Sequence, residues 1–114
     1  MSAYEFYLNK GFTPQTRTTS ISGAGTIAVW SPATSTRVAI TDMTISNILA
    51  GTIAFYWGNL AGDKIAEFVL SGSANVTPAI GGWEGTAYDR VLFAKLVASA
   101  TDGVRVNLTG FELS

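Results

Sequence analysis

Along most of the chain apolar and polar residues alternate with a period of two, and short Gly-, Ser-, Asn- and Asp-containing breaks divide the alternation at roughly ten-residue spacing. Helical periodicity is almost absent. This is how half-buried strands of a sandwich or barrel read. Residues 17–22 form a weak strand that Gly23-Ala24-Gly25 ends, and residues 26–31 (TIAVWS) form the next, stopped by Pro32, which has no N–H to donate. In residues 37–47 (RVAITDMTISN) Val38 and Ile40 share one parity while Met43 and Ile45 share the other, so a bulge is expected near Thr41-Asp42.

Residues 51–58 place Ile53, Phe55 and Trp57 on one face and Ala54 and Tyr56 on the opposite one. After a turn at 59–63, residues 64–70 set Ile65 and Val69 against Phe68 and Leu70. A short segment at 76–80 is interrupted by Pro78 and ended by Gly81-Gly82. Residues 90–98 (RVLFAKLVA) are nearly continuously apolar; a short helix is possible there, but β-branching and flanking turns favour a buried strand. The last strand, 104–113, points Val104, Val106 and Leu108 inward and Arg105, Asn107 and Thr109 outward, with Asp102-Gly103 as a hairpin turn before it. The pattern predicts an all-β domain of about eight antiparallel strands in a jelly-roll-like sandwich. An immunoglobulin-like sandwich is the other architecture to weigh, although its antibody form needs a Cys–Trp–Cys core that a cysteine-free chain lacks.

Residues 1–16 read differently. Tyr4, Phe6, Tyr7 and Phe12 are concentrated in a segment with Lys10-Gly11 and Pro14 and no sustained alternation. Either it is an extra edge strand packed on its own domain, residues 17–114, or it is an N-terminal arm whose aromatics dock on a neighbour.

Composition narrows the function. The 114 residues suit one domain. Charged residues make up 13% of the chain against roughly 25% in an average domain. With 47% hydrophobic residues, part of the apolar surplus must lie outside, as at a protein–protein contact. Net charge is −1, and the 7 basic residues never cluster, so nucleic acid is not an expected partner. No apolar run approaches the roughly 20 residues of a membrane span, and the start Met1-Ser2-Ala3-Tyr4-Glu5 does not read as a secretion signal.

Candidate chemistry is sparse. With no histidine and no cysteine, the commonest general base, thiolate metal sites, disulfides and His-dependent nucleophilic systems are all excluded. The eight acids sit mostly at turns or strand ends and show neither a glycosidase pair nor a dense calcium loop. Gly23-Ala24-Gly25 lacks the lysine and following helix of a phosphate cradle. No catalytic residue, metal site or cofactor is expected, and the chain is not expected to be an enzyme. Trp30 and Trp57 read as core residues. Trp83, between glycines in Gly81-Gly82-Trp83-Glu84-Gly85, either caps the end of the sandwich, inserts into a partner, or stacks on a sugar.

The stretches RVAITDMTISN (37–47), GTIAFYWG (51–58) and the ending GVRVNLTGFE (103–112) resemble small jelly-roll subunits of tailed-bacteriophage particles, in particular the head decoration (cement) proteins. The likeness covers residues 37–112 and is one of texture and order. It implies a structural subunit on the capsid exterior, made in the host cytoplasm. Such a subunit would bridge neighbouring copies of the major capsid protein, as a homo-oligomer with a trimer favoured. Tyr4, Phe6, Tyr7, Phe12 and Trp83 would then be the partner-binding residues. The alternative is a carbohydrate- or receptor-binding module of a tail fibre or bacterial enzyme, with Trp83, Tyr88, Asp89 and Arg90 lining the site.

Overall fold

Nine strands and one helix are found in a computed structural model, which describes residues 2–21, 26–47, 51–58, 64–70, 74–77, 82–85, 87–98 and 104–114. The turns expected at 23–25, 59–63 and 102–103 and the segment 78–80 lie outside the described residues. The strands are β1 Gln15–Ile21, β2 Thr26–Trp30, β3 Arg37–Asn47, β4 Gly51–Trp57, β5 Lys64–Leu70, β6 Ala74–Val76, β7 Trp83–Glu84, β8 Leu92–Ala98 and β9 Val104–Leu113. The nearly continuous apolar run at 90–98 is therefore a strand, and Leu92, Ala94 and Leu96 along it are buried.

Strand pairing follows one rule. β1 pairs with β9, β2 with β8, β3 with β6 and β7, and β4 with β5, all antiparallel. First joins last and so on inward, as when one long two-stranded ribbon is folded over on itself. Pairings of β3 with β9 and of β4 with β8 then zip the folded ribbon into two sheets, β1-β9-β3-β6 with β7 also on β3, and β2-β8-β4-β5. This is the jelly-roll arrangement, with β6 and β7 sharing the place of one strand. The hairpin-built sheets of an immunoglobulin domain pair their strands differently.

The core lies between the sheets, where Trp30, Phe55, Ile40, Met43, Ile45, Ile53 and Val106 are all at most 1% exposed. The register of β3 on β9 slips between Ile40 and Asp42, so Thr41 is the extra residue of a bulge. That slip resets the parity and lets Val38, Ile40, Met43 and Ile45 all face inward. Thr41 itself is buried, and its hydroxyl lies 3.2 Å from the Thr109 carbonyl and 3.0 Å from the Asp42 carboxylate, two acceptors for its one proton. A second slip corrects the expectation for 64–70. β5 skips Ile65 in its pairing with β4, so Ile65 joins Phe68 and Leu70 against the core, and Val69 is left 80% exposed.

The N-terminal segment is neither an edge strand nor an extended arm. Residues Ala3–Asn9 form a helix, α1. Both ends carry the chemistry that stops backbone groups going unpaired. At the start, Glu5 N–H donates to the Ser2 hydroxyl oxygen at 3.2 Å, while the same hydroxyl donates to the Glu5 carboxylate at 3.2 Å. Ser2 is thus the N-cap, and the Glu5 carboxylate, at Ser-x-x-Glu spacing, accepts from its hydroxyl. At the end, Gly11 N–H donates to the Leu8 carbonyl at 3.1 Å and Phe12 N–H to the Tyr7 carbonyl at 3.3 Å, with Gly11 at φ +90°. That is a Schellman close, which needs a positive φ at Gly11, and Pro14 prevents any restart.

Candidate docking site at the N-terminal helix

Strand parity explains why α1 sits where it does. Val104, Val106 and Leu108 of β9 face the core, so Phe111 and Leu113 turn to the outer face of the sheet. Large apolar side chains there need a cover. The helix supplies it: Tyr4, Tyr7 and Phe12 pack on Ala39, Phe111 and Leu113, and Phe111 is fully buried. Ring centroids of Tyr4 and Tyr7 stand 5.5 and 5.4 Å from that of Phe111, in tilted contact.

A polar chain fastens the helix on its other flank. In β7, Trp83 points between the sheets and Glu84 points out, towards α1. The Tyr7 hydroxyl donates to Glu84 Oε1 at 2.5 Å, and Arg37 Nη1 donates to Glu84 Oε2 at 3.0 Å and to the Gly85 carbonyl at 3.3 Å. The Arg37 guanidinium lies 5.8 Å from the Tyr88 ring centroid. The Tyr7 hydrogen bond, followed by the Arg37 hydrogen bond and charge, holds the Glu84 carboxyl below its ordinary range, against the effect of burial. Burial, with Glu84 adding to it, pushes the Tyr7 phenol from 10.0 up to about 12. Close approach of the helix also depends on Gly82, at φ +100°, where a Cβ would come within 2.9 Å of the Ala3 methyl.

The aromatic residues of the segment therefore divide by helix face. Tyr4, Tyr7 and Phe12 are used on the chain's own sheet. Phe6 is 45% exposed and Leu8 44% exposed; two positions apart, they stand on opposite flanks of the helix, and the Lys10 ammonium lies 4.9 Å from the Phe6 ring centroid. Leu8, Arg37 and Glu84 were not singled out by residue type. The Ser-x-x-Glu spacing at residues 2–5 is the local signal for the start of the helix.

Trp83 is half-buried and lies in aromatic contact with two side chains of the other sheet. Its centroid is 5.4 Å from Phe55, and it stacks on Phe68 at 6.2 Å with an interplanar angle of 13°. It therefore bridges the two sheets. Tyr88 is exposed under Arg37, Asp89 Oδ1 accepts from Ser35 N–H at 2.6 Å, and Arg90 donates to the Trp57 carbonyl at 2.9 Å. Trp83 is thus engaged between the sheets, while Tyr88 lies by Arg37, Asp89 by Ser35 and Arg90 by Trp57. Among the described residues, no group of three or more His, Cys, Asp or Glu stands close enough together to hold a metal ion, and no helix is long and apolar enough to cross a membrane.

No protein-family model and no curated protein matches the chain. Its fold is similar to that of a Bacillus endospore appendage protein, from a family of disulfide-linked pili, at 13% identity over 90% of this chain and 91% of that one, with a TM-score of 0.48. It is also similar to the virus-like particle protein of the extra small virus of the giant freshwater prawn Macrobrachium rosenbergii, at 12% identity over 90% and 78% of the two chains, with a TM-score of 0.44. A third likeness, with a TM-score of 0.37 and 14% identity, covers 85% of this chain and 20% of a Bacillus subtilis family 43 arabinoxylan arabinofuranohydrolase. At these scores the overlap is partial, and proteins of quite different roles share it.

Proposed function

We propose that this protein is a virion structural subunit, a decoration (cement) protein of a capsid, and that it performs no catalysis. It works on the capsid exterior after synthesis in the host cytoplasm, binding the major capsid protein and bridging neighbouring copies of it, as a homo-oligomer. One observation carries this reading: Phe6 and Leu8 are left exposed on the two flanks of a helix that is capped at both ends and fastened to the sheet through Tyr7, Glu84 and Arg37. Apolar side chains held in place before binding lose little conformational freedom on docking, and an aromatic anchor such as Phe6 often dominates interface energy. The charge-poor composition and scattered basic residues support a protein surface as the partner in preference to nucleic acid.

The test is sedimentation of the purified protein with shells of the particle whose genome encodes it. Wild type should pellet with the shells. Phe6→Ser combined with Leu8→Ser should weaken binding by about tenfold or more, equivalent to ~1.4 kcal/mol, with an unchanged unfolding midpoint. Binding unaffected by the double variant would remove the helix as the docking site, and a wild-type protein that never pellets would remove the decoration role. Deleting residues 1–12 is a poorer test, because it would uncover Phe111 and Leu113.

A further inference from the structure

Sheet edges are where a sandwich is open to other chains, and natural proteins blunt them with short strands, bulges, charges or proline. Three of the edges here are blunted. β6 and β7, on the far side of β3, have three and two residues. β5 is bulged at Ile65 and carries Lys64 and Glu67. β2 has five residues, with a register slip between Ala28 and Trp30.

β1 is different. It runs for seven residues, pairs with β9 in an unbroken register from Gln15 to Ile21, and has no described strand on its other side. Its single charge, Arg17, points inward, where the guanidinium lies over Trp30 at 4.5 Å and stands 3.8 Å from Glu112. The Thr16 carbonyl accepts from Arg17 Nη1 at 3.0 Å and so turns away from β9. In a strand the N–H and C=O of one residue point the same way and alternate along the chain, so Thr16, Thr18 and Ser20 direct their backbone groups to the free edge. Arg17 occupies one of these groups in place of a strand.

We infer that the β1 edge is a contact between two copies of this chain, which pair β1 against β1 antiparallel about a two-fold axis. It rests on the reading of the chain as an assembly subunit and specifies how copies meet. The occupant follows from the strand's own sequence. A register centred on Thr18 sets Thr18 opposite its own copy and Thr16 opposite Ser20 on either side. All three direct their backbone groups to the open edge, where only the Thr16 carbonyl is shared with Arg17 Nη1, and hydroxyl pairs of this kind are favourable across strands. No like charges face each other, since Arg17 stands opposite Thr19. A three-fold contact would have to join β1 to a different edge, and the others are short, bulged or charged. A two-fold contact is therefore favoured over the trimer implied by resemblance. Strand pairing alone buries less than the roughly 1,200 Å² of a standard stable interface, so the dimer is expected to be concentration-dependent in solution and to be favoured on a shell that holds copies close together.

Light scattering over a concentration series reaching the millimolar range tests this. Wild type should pass from monomer to dimer. Thr18→Pro removes an N–H that faces away from β9, so the strand should stay in its sheet while the dimer is lost; circular dichroism and the unfolding midpoint check folding. Thr18→Lys, which sets like charges opposite each other, should act in the same way without touching the backbone. In this cysteine-free chain, Thr18→Cys should give a disulfide-linked dimer under oxidation, whereas Val69→Cys on the other sheet should not. Association that survives both Thr18→Pro and Thr18→Lys, or a trimeric mass, would overturn the edge contact and leave the assembly reading standing. A wild type monomeric throughout, with no Thr18→Cys cross-link, would overturn both.

Discussion

β9 lies beneath two different surfaces on one face of the same sheet. At its end Phe111 and Leu113 turn outward into a buried layer with Tyr4, Tyr7 and Phe12. Four residues before Phe111, Asn107 turns to the same face, and its neighbours there are Thr18 of β1 and Thr44 of β3. The rows on either side continue this second surface, with Thr16, Thr109 and Asp42 in one and Ser20, Arg105 and Ser46 in the other. Within one strand, outward positions change from hydroxyl and amide to large apolar side chains where the helix begins to cover them. The alternation fixes which way a side chain points, and its polarity records whether anything lies on top. The helix is thus part of the folded domain on its inner face, leaving Phe6 and Leu8 exposed on its two flanks.

The sharpest way to break this contrast is to truncate one residue at each end. Phe111→Ala should destabilise the protein by about 3–5 kcal/mol, the range for a buried aromatic. Asn107→Ala should cost about 1 kcal/mol, for the 2.8 Å hydrogen bond from the Thr18 hydroxyl. Denaturant unfolding midpoints measure both, and equal losses would mean that the helix does not act as a cover.

Tyr7→Phe keeps the ring on Phe111 and removes only the hydrogen bond to Glu84, so α1 should loosen by about 1–2 kcal/mol while the sandwich holds. Hydrogen exchange at residues 3–9 reads this separately from global unfolding. The same contact sets a pH window. Because folding lowers the Glu84 value, its contribution is present above the ordinary carboxylate value of 4.5 and is lost as pH falls below that through the lowered value. Because folding raises the Tyr7 value, its contribution is present below 10.0 and is lost as pH rises from there through about 12. Exchange at 3–9 should therefore accelerate at both extremes in wild type, and Tyr7→Phe should lose the alkaline limb.

The smallest effect is expected at the cap. Ser2→Ala removes both hydrogen bonds of the N-cap hydroxyl and should fray the first turn by about 0.5–1 kcal/mol, with Phe111 still covered. Loss of the whole helix from this one change would show that the cap, and not packing on Phe111, holds it.

Much of the fold could be read in the residues. The parity change between Ile40 and Met43 located the bulge at Thr41, and the β-branched run at 90–98 read as a strand because its neighbours were turns. Ile65 could not be assigned in this way, because a bulge that inverts one residue at a strand end leaves no second residue to reveal it. The aromatic cluster of residues 4–12 is visible as candidate contact residues, but aromatic content alone fits a strand or an arm as well as a helix. The capping spacing of Ser2 and Glu5 is a local signal and was there to be found. That Tyr7 reaches Glu84, 77 positions away, has no local signal at all.

Alternation and turn residues determined by themselves that this chain is an essentially all-β sandwich, and composition that it has neither histidine nor cysteine, because side-chain direction in a strand and residue type are properties of single residues and their immediate neighbours. Only the tertiary structure decided which edges stay open, which aromatics of the N-terminal segment turn inward and that Phe6 and Leu8 remain exposed. Those outcomes depend on pairings between residues far apart in the chain, as β1 with β9 and α1 with Phe111, and no short stretch of sequence contains both partners.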